Sequence, residues 1–209
     1  YLRISVKNES PKAEGQDPGY VSSTLHNKVK ENDVIELSAP TGNFFLFNPE
    51  KTNVLISAGI GLTPMMAMLN QLLTGNTDPN EKVTLWEKIK ANFNKPEPKN
   101  PINFIHAVRN SRVHAMKETV QDLAKKHDNL NVFVAYEQTD SKDVLGRDYH
   151  AEGRLNLKQL DAKMLPKDAD YYLCGPIPFM QVQHKALLEL GISAQNIHSE
   201  AFGTGGVAL

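Results

Sequence analysis

The residues best suited to chemistry are glycines and prolines set between apolar runs and helical patterns. Gly59-Ile60-Gly61-Leu62-Thr63-Pro64 follows the apolar run Asn53-Val-Leu-Ile-Ser57. It precedes Met65, Met66, Met68, Leu69, Leu72 and Leu73, which are spaced as a helix face. A strand, a glycine turn and a helix N-terminus in that order make an anion site, because free backbone N–H groups and the positive end of the helix dipole converge there. Thr63 reads as the N-cap and Pro64 as the first helical residue. Glycine at 59 and 61 lets a ligand approach the backbone closely. A dinucleotide pyrophosphate fits such a turn. The third glycine of the usual fingerprint is missing, however, and a tight strand-to-helix turn in any α/β domain has the same composition.

Two further stretches repeat the pattern. Tyr171-Tyr-Leu-Cys174-Gly175-Pro176 ends an apolar run at a turn into a helix, which places Cys174 in the same crevice as Gly59. A lone cysteine on a strand is more often a small buried apolar group than a nucleophile, and no His-plus-acid pair accompanies it. Upstream, Gly19-Tyr20-Val21-Ser22 leads into a short helix with Leu25 and Val29 on one face and Ser22 or Ser23 as cap. This is a second candidate phosphate site, or simply a capped surface helix. Arg109 and Arg112 follow the run Ile102–Val108 at the crevice rim, where arginine can clamp a phosphate or stack on adenine. The histidines lack metal-ligand spacing and no paired cysteines occur, so no metal site is expected. There is also no nucleophile elbow and no Walker lysine.

The elements that must position these groups fall into two regimes. Residues 1–49 read as mostly β, with strands at Leu2–Val6, Val34–Leu37 and around Phe44–Leu46 and one short helix. From residue 50 onward strands and helices alternate. Strands are expected at Asn53–Ser57, Ile102–Val108, Asn131–Tyr136 and Asp170–Cys174. Helices follow the first glycine turn, span about His114 to His127 and Asn156 to Leu160, and run from Gly175 to Leu190. This order predicts a doubly wound parallel sheet with ligands beyond the carboxyl ends of its strands. A polar stretch at 74–101 carries Val83, Trp86, Ile89, Lys90 and Phe93 at helical spacing and reads as a surface insertion with an amphipathic helix packed on its own domain.

Composition narrows the field. A net charge of −1 offers no basic field for nucleic acid or an anionic membrane. The single cysteine, Cys174, allows no internal disulfide, which suits a reducing cytoplasm. No run is long enough to span a bilayer as a helix. The sequence opens at Tyr1 inside a strand pattern, and a longer parent polypeptide is expected.

Taken together, Gly19-x-x-Ser22, Pro40-x-Gly42-x-Phe44, Gly59-Ile-Gly61-Leu-Thr63-Pro64, Cys174-Gly175-Pro176 and Glu200-Ala201-Phe202-Gly203 resemble, in order, the ferredoxin–NADP⁺ reductase superfamily. Within that superfamily, the chain resembles the reductase half of bacterial flavohaemoglobins. Further counterparts are His106-Ala-Val-Arg-Asn110, Val113-His-Ala115, Tyr172-Leu-Cys-Gly-Pro-Ile-Pro-Phe-Met180 and Asn196-Ile-His-Ser-Glu200. The resemblance implies the end of an antiparallel FAD-binding β-barrel over 1–49 and an NAD(P)-binding α/β domain over 50–209.

It also implies roles for individual residues. Gly19, Tyr20, Val21 and Ser22 would hold the FAD pyrophosphate, and Gly59 through Pro64 that of NAD(P)H, with Arg109 at the rim. Cys174, Gly175 and Pro176 would lie by the nicotinamide. Ala201, Phe202, Gly203 and Thr204 would lie by the flavin, and Glu200 between flavin and haem. Cys174 and Glu200 are thus the catalytic candidates. The family's Arg-x-Tyr-Ser flavin motif and its globin domain are not in this sequence. Haem is therefore implied only through a globin domain of the longer polypeptide, with nitric oxide dioxygenation as the full-length activity. Where the family has Gly-Pro after its tail aromatic, Gly203-Thr204-Gly205-Gly206 stands here.

Two other functions fit parts of the pattern. A stand-alone NAD(P)H reductase feeding a ferredoxin or oxygenase would share every motif, although no cysteine set for a built-in iron–sulfur cluster is present. An S-adenosylmethionine-dependent methyltransferase also begins with a strand and a glycine turn, but no acidic residue ends the strand at Ile102–Val108 to take a ribose. Arg109 and Arg112 chemically favour NADPH, whereas the flavohaemoglobin likeness favours NADH.

Overall fold

A computed structural model describes residues 4–9, 11, 14–39, 41–74 and 100–201. The chain divides into two compact units, residues 1–43 and 44–209.

Apolar runs buried on both faces become the strands of the second unit, as parallel sheets require. β1 (Thr52–Ala58) is buried at every position after Thr52, and β5 (Ala169–Gly175) is buried throughout. They join β2 (Ile102–Val108), β3 (Leu130–Tyr136), the two-residue β4 (Ala151–Glu152) and β6 (Ile197–Ala201). The sheet order is β4-β3-β2-β1-β5-β6, with every pair parallel.

Alternation along the strands sends one set of side chains to each face. Leu55, Phe104 and Tyr172 meet Leu62, Met65, Leu69 and Leu73 of α2 (Leu62–Thr74) and Val120 of α3 (Lys117–Lys126). Val54, Ile56, Ile105, Tyr171 and Leu173 meet Met180, Ala186 and Leu187 of α4 (Ile177–Glu189). Helices therefore cover both faces, and the doubly wound sheet is present. The strand order reverses between β1 and β5, which is the switch point at which such folds open a crevice.

Several boundaries differ from expectation for local reasons. α3 begins at Lys117 rather than near His114, because a 3₁₀ turn at Ser111–Val113 comes first, with the Asn110 side chain accepting from Arg112 N. Met116 then enters the helix in a left-handed conformation, φ 55°. The expected helix at Asn156–Leu160 is a single 3₁₀ turn, Leu157–Gln159. The tail from Ile197, to which the sequence assigns no element, is a parallel edge strand.

In the first unit, α1 (Tyr20–Asn27) is the one expected element that forms among the described residues. No strand forms at 34–37, and Val34 is 96% exposed. Residues 4–6 of the expected first strand and 44–46, which belong to the second unit, are also irregular. An alternating run becomes a strand only when a neighbour takes up its backbone N–H and C=O groups. The helix cap is Gly19, not Ser22 or Ser23. Ser22 Oγ instead donates to the Gly19 carbonyl and accepts from Glu9 N, while Gly19 N donates to Glu9 O. The expected amphipathic helix in the 74–101 stretch falls almost wholly outside the described residues.

Candidate functional site

β1 ends at Ala58 and the chain turns at once through a 3₁₀ helix, Gly59–Gly61, into α2. The two glycines do different work. Gly59 is left-handed, φ 53°, and a Cβ there would meet nothing within 4 Å. Only this glycine matches the expected open backbone. Gly61 faces inward instead. A Cβ on it would lie 2.8 Å from Gly175 N and closer still to the Cys174 carbonyl. Its bare Cα is what lets the turn rest directly on the end of β5. Gly175 is packed closely too, though less so, with a Cβ there 3.0 Å from the Phe179 ring and 3.2 Å from the Ala58 Cβ. The strand-to-turn junctions of β1 and β5 thus meet edge to edge, with their helices starting side by side above the switch point.

Thr63 lies inside α2 rather than at its cap, and its hydroxyl donates to Ile60 O at 3.2 Å. A 3₁₀ turn runs straight into the helix, so the cap falls upstream of it. Pro64 still sits in the first turn, where its missing N–H removes no intrahelical bond. Pro176 caps α4, and Ile177 and Pro178 begin it. Two helix N-termini consequently flank the crevice mouth.

Under the turn lies a transverse row of paired residues: Glu200, Cys174, Ser57, His106 and Val134. The row one step deeper on the same face is His198, Tyr172, Leu55, Phe104 and Val132. Polarity thus increases in the last row before the crevice. Cys174 is fully buried, and burial together with the Glu200 carboxylate pushes its thiol up to about 12. It is a neutral thiol, not a thiolate nucleophile. Ser57 Oγ and His106 Nδ1 are 2.9 Å apart and buried. Burial, reinforced by neighbouring His114, pulls His106 down to about 3, so it is uncharged at neutral pH. Glu200 is exposed at the edge, and Ala201, which pairs with Gly175, ends β6. Phe202, Gly203 and Thr204 lie outside the described residues.

The rim arginines differ from each other. The backbone ladder continues past β2 and β3, with Glu137 N donating to Val108 O and Gln138 N to Arg109 O. This brings residues 109–112 alongside 138–140. Arg112 then grips Asp140 with two bonds, Nε to Oδ2 and Nη2 to Oδ1, each 2.9 Å. Arg109 is exposed and makes no side-chain bond among the described residues. In sequence the two arginines look alike, and no local pattern pairs Arg112 with Asp140 or His106 with Ser57. The available signal was the histidine interrupting the apolar run Ile102–Val108.

Gly19, Tyr20, Val21 and Ser22 open α1 in the first unit. Gly19 N is spent on Glu9, and the N–H groups of Tyr20, Val21 and Ser22 have no intrahelical carbonyl behind them.

Residues 55–185 match the family model for the oxidoreductase NAD-binding domain. The FAD/NAD-binding domain of nitric oxide dioxygenase from Vibrio cholerae has the same fold, with a TM-score of 0.70 and 34% identity. The alignment covers 94% of this chain and 70% of that one. The chain belongs to the flavohaemoprotein family of NAD-binding oxidoreductases. Flavohaemoproteins of Bordetella pertussis and Chromobacterium violaceum are 44% and 45% identical over 208 and 206 residues, or 99% and 98% of this chain. The chain spans about half the length of these flavohaemoproteins, 46% and 45%. The methyltransferase alternative falls with this assignment. No described helix is long and apolar enough to cross a membrane.

Proposed function

We propose that this chain is the NAD(P)H-handling part of a flavohaemoprotein reductase. When bound, NAD(P)H supplies a hydride and FAD accepts it. In the full-length polypeptide the haem of a globin domain would be the one-electron acceptor, supporting nitric oxide dioxygenation in the cytoplasm. The observation that carries the reading is the meeting of Gly59–Gly61 with Cys174–Gly175. One exposed left-handed glycine and two helix N-termini lie together at the switch point of an NAD-binding fold.

The chain's own residues fit the nucleotide. Gly59 presents bare backbone to the pyrophosphate, and the start of α2 at Leu62, Thr63 and Pro64 adds its dipole. Gly61 works at one remove, by letting the turn sit low on β5. Cys174, buried and neutral, backs the place where the nicotinamide would lie, and Glu200 stands at the edge toward the acceptor. Residues 1–49 act as the end of an FAD-binding β-barrel, with the start of α1 (Gly19 through Ser22) on the flavin phosphates and Ala201 through Thr204 near the flavin ring.

The Arg112–Asp140 pair favours NADH over NADPH. Its guanidinium is already engaged by a carboxylate, which would repel a 2′-phosphate brought to that arginine. The oxidised-flavin absorbance of the full-length polypeptide should bleach on anaerobic addition of NADH. A full-length protein that is colourless and indifferent to NADH overturns the proposal.

A further inference from the structure

The polar row under the glycine turn does not stop at His106. The His106 and His114 rings stand 5.3 Å apart, tilted by 35°. His114 Nδ1 lies 2.9 Å from the Tyr136 hydroxyl, and Tyr136 is fully buried and stacked on Tyr149. Ser57–His106 and His114–Tyr136 are therefore two hydrogen-bonded pairs, joined by the contact of the two imidazole rings. Together they cross the carboxyl ends of β1, β2 and β3 and take in the loop that leads to α3. Ser57 lies two residues before Gly59.

A buried polar pair in such a position calls for a reason. The sheet could continue its apolar pattern upward, since Leu55 and Phe104 occupy the same two columns one step below. An apolar pair there would pack without any desolvation cost. Burial holds both imidazoles uncharged: His106 is down at about 3, and His114 at about 4, lowered further by Lys117 against the opposing pull of Glu118 and Asp148. A buried neutral hydrogen bond is directional where hydrophobic packing is not, and the Ser57–His106 bond favours one arrangement of the two strands it joins. The glycine turn already has one rigid support, the contact of Gly61 with the end of β5. On the opposite flank, the Ser57–His106 bond ties the last residues of β1 to β2.

We propose that His106 is a positioning residue for the dinucleotide-binding turn. Through Ser57 it fixes the height and tilt of Gly59 relative to β2, and His114 with Tyr136 fixes His106 in turn. The inference rests on reading the Gly59–Pro64 turn as the pyrophosphate site. It concerns residues outside that site, none of which touches the nucleotide.

The test is calorimetric titration of the full chain with adenosine 5′-diphosphate, which carries the pyrophosphate and needs neither flavin nor turnover. His106→Leu keeps the volume and loses the bond, and Ser57→Ala loses the bond from the other side. His106→Asn keeps a polar atom near the Nδ1 position. The leucine and alanine variants should each bind about tenfold more weakly, the loss of one well-placed buried hydrogen bond. His106→Asn should stay within about threefold of the parent, a rescue that loss of packing alone would not give. Thermal melting of each variant separates a displaced turn from an unfolded domain. Parent-like binding by both His106→Leu and Ser57→Ala overturns the positioning role while leaving the pyrophosphate reading intact. Failure of the parent chain to bind the diphosphate overturns both.

Discussion

The two edges of the sheet are built on opposite plans. At the amino edge, side chains spend their hydrogen bonds on their own chain. Asn103 Nδ2 donates to the carbonyls of Lys163 and Met164, Asn131 donates to Asn103, and Lys51 pairs with the nearly buried Asp170 at 2.9 Å. At the carboxyl edge the backbone is left bare. Gly59 faces open space, two helices begin, and Arg109 has no side-chain partner among the described residues. Both ends are thus tied by side-chain bonds, Ser57–His106 and Arg112–Asp140 at the carboxyl end included, but bare glycine backbone and helix N-termini lie at the carboxyl end. Substitutions at the two edges should therefore have separable effects.

Gly61→Ala should do the most damage, because it acts on both plans. The added methyl meets the backbone of Cys174 and Gly175, which cannot rotate away. A loss of about 3 kcal/mol on chemical denaturation is expected, at the upper end of overpacking costs, together with loss of diphosphate binding. An alanine variant with parent-like stability and binding would mean that the turn does not rest on β5.

Lys51→Met comes next and confines its effect to the amino edge. It strands the Asp170 carboxylate, 10% exposed, but Lys51 is itself 25% exposed, so water softens the cost to about 1–2 kcal/mol. Nucleotide affinity should not move, and a shift in it would break the division between the edges. Asp140→Asn should have the smallest effect, visible only at the carboxyl edge. Freeing Arg112 should lower the NADH-over-NADPH ratio of kcat/KM in the full-length enzyme by roughly fivefold, with an unchanged melting curve. An unchanged ratio would remove Asp140 from the specificity argument.

Much of the second unit was legible in the sequence, because its strands are buried on both faces. Ile102–Val108 is the strand the apolar run describes, and Asn53–Ser57 gains one residue at each end. Continuous apolar runs carry that information locally. The 34–37 alternation failed because a half-buried strand is defined by a neighbour, and no local pattern supplies one. The Gly59 turn could be located from its flanks, yet the division of labour between Gly59 and Gly61 depends on β5, more than a hundred residues further along. Ser57 with His106, 49 residues apart, and Arg112 with Asp140, 28 apart, were hidden for the same reason. Parallel pairing brings together side chains whose spacing in sequence carries no signal.

Cys174 shows what such burial does to reactivity. With burial pushing its thiol up to about 12, almost no thiolate is present at pH 7. Peroxide and other oxidants attack thiolates far faster than thiols. A sulfur so buried is in this way passivated: it stays a thiol where an exposed, low-pKa cysteine would climb toward sulfenic and sulfinic acid.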